Sequence, residues 1–174
     1  MVIWFTGVSG SGKTTLGKKF FNILKKKSKS TIFFDGDKFR LIFQNDLKYS
    51  LKERDTNAYR LTRLVHALSN QKINVVVSAN LTSFKYRLWC RKEIKNYFEI
   101  YIEAKKDTLL KRDYKNLYKD ALKGKIQNVV GIDLPFSKPK GSDFYIDNNF
   151  SKKELYKNIE KIFLDIKKSK IKIF

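Results

Sequence analysis

The chain has 174 residues, of which 38 are Lys or Arg and 17 are Asp or Glu, so its formal net charge is +21. Hydrophobic residues make up 42% of the chain, which is enough to build a core, and the length predicts one domain spanning residues 1–174. No run of about 18 apolar residues occurs, so we expect no membrane span. We also expect no signal peptide and a cytoplasmic location. Cys90 is the only cysteine, which excludes an internal disulfide.

The hydrophobic pattern alternates between short strands and amphipathic helices. Strands are predicted at residues 2–5, 31–34, 73–77, 98–102 and 144–146, and helices at 13–26, 51–71, 87–97, 107–112, 116–123 and after Ser151. Ser50 with Glu53, and Ser151 with Glu154, form capping boxes that mark two helix starts. This alternation predicts an α/β fold with a parallel sheet of about five strands and helices on both faces. Ligands then bind at the carboxyl ends of the strands.

Residues 7–14 read GVSGSGKT and match the pattern G-x-x-x-x-G-K-[ST] of a P-loop. They lie between a predicted strand and a predicted helix, which is the context that this motif requires. Backbone amides and the helix start would bind the phosphates of ATP. Lys13 would contact the terminal phosphates, and the Thr14 hydroxyl would ligate Mg²⁺. The ATP-binding residues predicted here are Gly7, Ser9, Gly10, Ser11, Gly12, Lys13, Thr14 and Thr15.

Two carboxylates, Asp35 and Asp37, follow the second predicted strand. The third strand ends at Ser78 and is followed by Asn80, without the Asp with which many P-loop hydrolases hold Mg²⁺. Carboxylates beside the phosphates could hold Mg²⁺ or accept a proton from a substrate hydroxyl, which favours phosphoryl transfer to an alcohol. The alternative is a simple Asp-Gly turn between two elements.

The high positive charge has three interpretations. They are a nucleic-acid surface, steering of small anionic substrates, or a compositional bias of AT-rich coding. The lysines are scattered along the chain, and no basic stripe with interleaved aromatic residues is present. The favoured explanation of the charge is therefore compositional bias combined with steering of anionic substrates. A nucleic-acid partner is not expected.

Four segments resemble adenylylsulfate kinases, small P-loop kinases that phosphorylate the ribose 3′-hydroxyl of adenosine 5′-phosphosulfate. The segments are the P-loop at 7–15, DGDKFR at 35–40, ERDTNAYR at 53–60, and residues 113–126 with the later GID at 131–133. Together they cover most of residues 1–140. The resemblance implies a P-loop kinase fold with a helical lid, the use of ATP and Mg²⁺, a small nucleotide as acceptor, and a possible homodimer.

The resemblance also implies roles for individual residues. Lys13, Asp35 and Lys115 would be catalytic, with Thr14 and Asp35 as metal ligands and Asp35 as the base beside the 3′-hydroxyl. Arg112, at the start of the lid, would contact ATP. The residues implied to bind the acceptor are Asp37, Arg40, Tyr49, Arg54, Asn57, Asn80, Leu81, Thr82, Lys115, Val129 and Ile132.

The chain departs from the family pattern where the acceptor base would bind. Val129 replaces a phenylalanine that stacks on adenine in the family, and Asn80 with its neighbours replaces an F-I-S stretch. An amide offers hydrogen bonds to a base edge but no stacking surface. One branch resembling this family phosphorylates cytidine diphosphoramidate, in a pathway for surface polysaccharides, and a pyrimidine would suit these changes. The alternatives are a true adenylylsulfate kinase that makes 3′-phosphoadenylylsulfate, a nucleic-acid-binding P-loop protein, and a nucleotide-binding scaffold without catalysis.

Overall fold

The computed structural model describes residues 1–81, 83–113 and 116–169. Within these residues the chain forms five strands and seven helices. The strands are β1 (Val2–Thr6), β2 (Thr31–Asp35), β3 (Asn74–Ser78), β4 (Tyr97–Glu103) and β5 (Phe144–Asp147). The helices are α1 (Lys13–Lys27), α2 (Gly36–Ile42), α3 (Leu51–Asn70), α4 (Phe84–Glu93), α5 (Lys106–Lys111), α6 (Leu117–Leu122) and α7 (Lys152–Lys168).

The five strands form one parallel sheet in the order β2-β3-β1-β4-β5. The central strand β1 is buried along its whole length, which explains its continuous apolar sequence. In register, Trp4 of β1 pairs with Val77 of β3 on one side and with Glu99 of β4 on the other. Strands β2 and β3 lie on one side of β1, and β4 and β5 lie on the other. In sheets of this kind, ligands bind at this change of side, next to the carboxyl end of the strand.

Helices cover both faces of the sheet. Successive residues of β1 point to opposite faces, so alternate side chains of this strand belong to two separate cores. Ile3 and Phe5 pack in one core with residues of α1 and α7, such as Phe20 and Phe163. Val2 and Trp4 pack in the other core with residues of α2, α3 and α4, among them Phe39, Leu61 and Cys90. The predicted α/β fold with helices on both faces is therefore confirmed.

Both predicted capping boxes are confirmed. The hydroxyl of Ser50 accepts the backbone N–H of Glu53 at the start of α3, and Ser151 does the same with Glu154 at the start of α7. Within the residues that the structure describes, no helix is long and apolar enough to cross a bilayer.

One local prediction was wrong, and one helix was not predicted. Helix α4 runs from Phe84 to Glu93 rather than from Arg87 to Tyr97, because Tyr97 pairs with Val2 and begins β4. Parallel pairing in the sheet thus overrides the helical spacing of the sequence. Helix α2 was not predicted. It forms because Asp35 caps its N-terminus and Phe39 anchors it in the core.

Candidate active site

A cleft of about 700 Å³ lies at the carboxyl edge of the sheet. It brings together residues that are far apart in the sequence, from the P-loop, the start of α2, α3, the end of β3 and the segment before α6. The predicted site residues that line it are Ser9, Gly10, Gly12, Lys13, Thr14, Thr15, Asp35, Asp37, Arg40, Asn57, Asn80 and Arg112.

The glycines of the P-loop are required by close packing and by backbone conformation. Gly7 has a φ of 147°, and a Cβ there would collide with the backbone carbonyl of Ile102. Gly12 has a φ of 98° and lies at the N-cap position of α1. Ser11 between them is fully buried, and its N–H donates to the Val8 carbonyl at 3.2 Å. The loop therefore turns tightly and directs the N-terminus of α1 at the cleft.

Lys13 lines the cleft in a half-buried position. Its Nζ donates to the Val8 carbonyl at 2.7 Å. Burial lowers the pKa of Lys13 to about 8, while the negative charges of Asp37 and Asp35 act in the opposite direction. A partly desolvated ammonium at the wall of the cleft is suited to binding the charge of a phosphate.

Asp35 connects the P-loop to α2. Its Oδ2 accepts the hydroxyl proton of Thr14 at 2.6 Å. Its Oδ1 accepts the backbone N–H groups of Asp37 at 3.0 Å and Lys38 at 3.3 Å. One carboxylate oxygen is thus held by the helix start, while the other is paired with a hydroxyl at the edge of the cleft.

This pair of oxygen ligands fits Mg²⁺, which proteins bind through one or two carboxylates or hydroxyls together with substrate phosphates. Among the described residues, no group of three or more His, Cys, Asp or Glu side chains could hold a metal by itself. Thr14 and Asp35 are therefore suited to hold Mg²⁺ together with ATP rather than to form a metal site of their own.

Two arginines meet at the ring of Tyr49, and of these three residues only Arg40 lines the cleft. The guanidinium of Arg40 lies 4.7 Å from the ring centre and that of Arg54 lies 5.3 Å from it. Arg40 is buried and donates to the backbone carbonyls of residues 47 and 48. Arg54 donates to the carbonyls of Tyr49 at 2.8 Å and Asn128 at 2.7 Å, and its pKa is lowered by burial and by the charge of Arg40. Arg54 therefore links the loop before α3 to the loop after α6.

The predicted base-binding residues occupy different places. Asn80 lies in the cleft, and its buried Oδ1 has no hydrogen-bond partner among the described residues. Leu81 is buried in the core beside α3 and α4. Val129 is buried against Leu109 and Tyr118, and Ile132 lines a separate pocket of about 210 Å³. The structure thus does not place the side chains of Leu81, Val129 and Ile132 on the wall of the cleft.

Two further predicted residues, Thr82 and Lys115, lie outside the described residues. Their predicted roles, in acceptor binding and in catalysis, stay predictions.

The sequence analysis did not single out several residues of the cleft. Tyr118 donates to the carbonyl of Ser9 at 2.7 Å, and Asn148 donates to the carbonyl of Ser11 at 2.6 Å. Phe150, which is 56% exposed, lines the same cleft as Arg112. Asn148 and Phe150 follow the last predicted strand, so the rule that ligands gather at strand carboxyl ends could have identified them.

Comparisons with known proteins identify the family of the chain. A family model described as adenylylsulphate kinase matches residues 1–147. The cytidine diphosphoramidate kinase of Campylobacter jejuni is 39% identical over 148 residues, which are 85% of this chain and 86% of that protein. A probable adenylyl-sulfate kinase of Pseudomonas aeruginosa is 34% identical over 83% of this chain and 68% of its own length.

Among solved structures, the APS kinase of Mycobacterium tuberculosis in complex with AMPPNP and APS superposes with a TM-score of 0.83. It is 28% identical, and the match covers 96% of both chains. The resemblance inferred from four sequence segments is confirmed by the family model, by the relatives and by the fold. The chain belongs to the adenylylsulphate kinase family.

Proposed function

We propose that this chain transfers the γ-phosphoryl group of ATP to the ribose 3′-hydroxyl of a nucleotide acceptor. Its family makes it a nucleotide kinase, and the position of the hydroxyl is the part that we propose. The observation that carries the proposal is the Thr14–Asp35 pair at 2.6 Å, which places a carboxylate beside the P-loop in a cleft of about 700 Å³, a volume typical of ligand-binding sites.

In this proposal, different residues of the cleft have different roles in the reaction. Lys13 and the amides of the P-loop bind the phosphates and stabilise the charge that develops in the transition state. Asp35 accepts the proton of the attacking hydroxyl while the bond between the γ-phosphorus and the oxygen of ADP breaks. Thr14 and Asp35 would hold Mg²⁺. When bound, the ion would neutralise part of the charge of the phosphates.

The predicted site of phosphorylation can be tested with two matched acceptor analogues. An acceptor lacking the 3′-hydroxyl should give no product, while one lacking the 2′-hydroxyl should still be phosphorylated. Product formation would be followed by phosphorus NMR, which also identifies the phosphorylated carbon. Phosphorylation of the 3′-deoxy analogue would contradict the proposal.

The acceptor that we propose is cytidine diphosphoramidate. Three observations support it. They are the 39% identity to the Campylobacter jejuni kinase, the unpaired Oδ1 of Asn80 in the cleft, and the burial of Val129 in a cluster with Leu109 and Tyr118, where it offers no stacking surface to a base. The exocyclic amino group of cytosine could donate to Asn80, so the buried acceptor would gain its missing partner.

Adenosine 5′-phosphosulfate is the second candidate acceptor. It is supported by the identity to the Pseudomonas aeruginosa protein, by the fold shared with the complex containing APS, and by Tyr49 as an aromatic residue in the acceptor region. A side-by-side measurement of kcat/KM with both acceptors decides between the two candidates. A value for adenosine 5′-phosphosulfate well above that for cytidine diphosphoramidate would overturn our choice.

A further inference from the structure

Two backbone carbonyl groups of the P-loop accept hydrogen bonds from side chains that come much later in the sequence. Tyr118 on α6 donates to Ser9, and Asn148 after β5 donates to Ser11. Both side chains belong to residues that are only 4% exposed. Such buried hydrogen bonds hold their acceptors in one orientation.

The orientation of a carbonyl determines the orientation of the next amide. In a trans peptide the C=O and the following N–H point in opposite directions, and the described chain contains no cis peptide. Holding the Ser9 carbonyl therefore turns the N–H of Gly10 away from Tyr118. Holding the Ser11 carbonyl turns the N–H of Gly12 away from Asn148.

The two amides are available to a ligand. Gly10 and Gly12 both line the cleft, and neither N–H has a hydrogen-bond partner among the described residues. Each glycine is also packed against the residue that holds the preceding carbonyl. A Cβ on Gly10 would lie 3.9 Å from the Tyr118 ring, and a Cβ on Gly12 would collide with the Asn148 amide.

We propose that Tyr118 and Asn148 are positioning residues that preset the Gly10 and Gly12 amides for the phosphates of ATP. Amides that already point at the phosphate need no reorganisation when the nucleotide binds or when charge develops in the transition state. The proposal concerns the ATP site, so it does not depend on which acceptor the enzyme uses.

Both residues have further contacts of their own, although the Oδ1 of Asn148 is buried without a hydrogen-bond partner among the described residues. The Tyr118 ring packs against Leu109 and Val129, and burial together with the charge of Asp113 raises the pKa of Tyr118 to about 12. The phenol therefore remains a hydrogen-bond donor at neutral pH. The backbone N–H of Asn148 donates to the Glu103 carbonyl at 2.7 Å, which fixes this residue to the end of β4.

Tyr118→Phe tests the proposal most directly, because it removes the hydroxyl and keeps the ring in its cluster. We expect kcat/KM for ATP to fall about 2- to 10-fold, as for the loss of one hydrogen bond, while the KM for the acceptor stays unchanged. The affinity for ADP should fall by a similar factor, and the affinity for adenosine, which has no phosphate, should not change. Titration calorimetry measures both affinities.

Two other variants complete the test. Asn148→Leu keeps the side-chain volume but removes the donor to the Ser11 carbonyl. It should therefore also lower the affinity for ADP and leave the affinity for adenosine unchanged. Tyr145→Phe is the matched control, since its hydroxyl bonds Glu103 on the edge of the sheet and does not contact the P-loop. The melting temperature without nucleotide shows whether each variant is folded.

The outcomes separate positioning from a structural role. A selective loss of ADP affinity in Tyr118→Phe, absent in Tyr145→Phe, supports the proposal. An equal loss of ADP and adenosine affinity, or no loss of either, overturns it. If Asn148→Leu does not fold, Tyr118→Phe alone decides.

Discussion

The two ends of the cleft are built differently. At the phosphate end, Asp35 is the last residue of β2, Lys13 and Thr14 begin the helix that follows the P-loop, and Thr14 and Asp35 are joined by a direct hydrogen bond. At the proposed acceptor end, Arg40 lines the cleft and packs with Arg54 against Tyr49, which is 46% exposed, lies on a loop and does not itself line the cleft. In the function that we propose, phosphoryl transfer would depend on side chains placed by the sheet, while the choice of acceptor would depend on loops, which can change without disturbing the sheet.

The largest effect is expected at the phosphate end, for Asp35→Asn. An amide cannot accept the hydroxyl proton, so we expect kcat to fall about 10²- to 10⁴-fold. ATP consumption, measured at increasing Mg²⁺ concentration, tests this prediction. If excess Mg²⁺ restored kcat, Asp35 would serve as a metal ligand and not as the base.

Lys13→Ala should lower the rate of phosphoryl transfer by about 10²-fold or more while the fold remains intact, because the side chain acts through its charge. Lys18→Ala is the matched control, since Lys18 is an exposed residue of the same helix. Activity of Lys13→Ala within a few-fold of the unchanged enzyme would contradict the role of the P-loop.

At the acceptor end, Asn80→Phe should change the preference for the base and leave the KM for ATP unchanged. Base stacking on an aromatic ring contributes about 1–3 kcal/mol, so kcat/KM should shift toward the adenine acceptor about 5- to 150-fold. A second substitution, Val129→Phe, would restore the other aromatic residue of the family. However, Val129 is buried, so overpacking could destabilise that variant and its melting temperature must be compared.

The smallest effect concerns pH. Because burial lowers the pKa of Lys13 to about 8, the free enzyme keeps the cation below that pH and loses it above. We therefore expect kcat/KM for ATP to fall as pH rises above about 8, by roughly tenfold per unit at most. Lys13→Arg keeps its charge throughout this range, so its profile should be flat if Lys13 causes the decrease.

The amino-acid sequence by itself determined much of the phosphate end. The spacing of Gly7, Gly12 and Lys13, between an apolar strand and a helical pattern, is a local property that requires no knowledge of the fold. The capping boxes at Ser50 and Ser151 are also local, and both predicted helices start where they indicate. Alternation of strands and helices was enough to predict the parallel sheet and to place Asp35 at its ligand-binding edge.

Only the tertiary structure decided the parts that depend on distant contacts. Tyr97 belongs to a strand because Val2 pairs with it, although its sequence spacing is typical of a helix. Val129 is buried in a cluster with Leu109 and Tyr118 and does not line the cleft. The hydrogen bonds of Tyr118 and Asn148 to the P-loop join residues 109 and 137 positions apart. Such contacts follow from how strands and helices pack in space, and no periodicity along the chain encodes them.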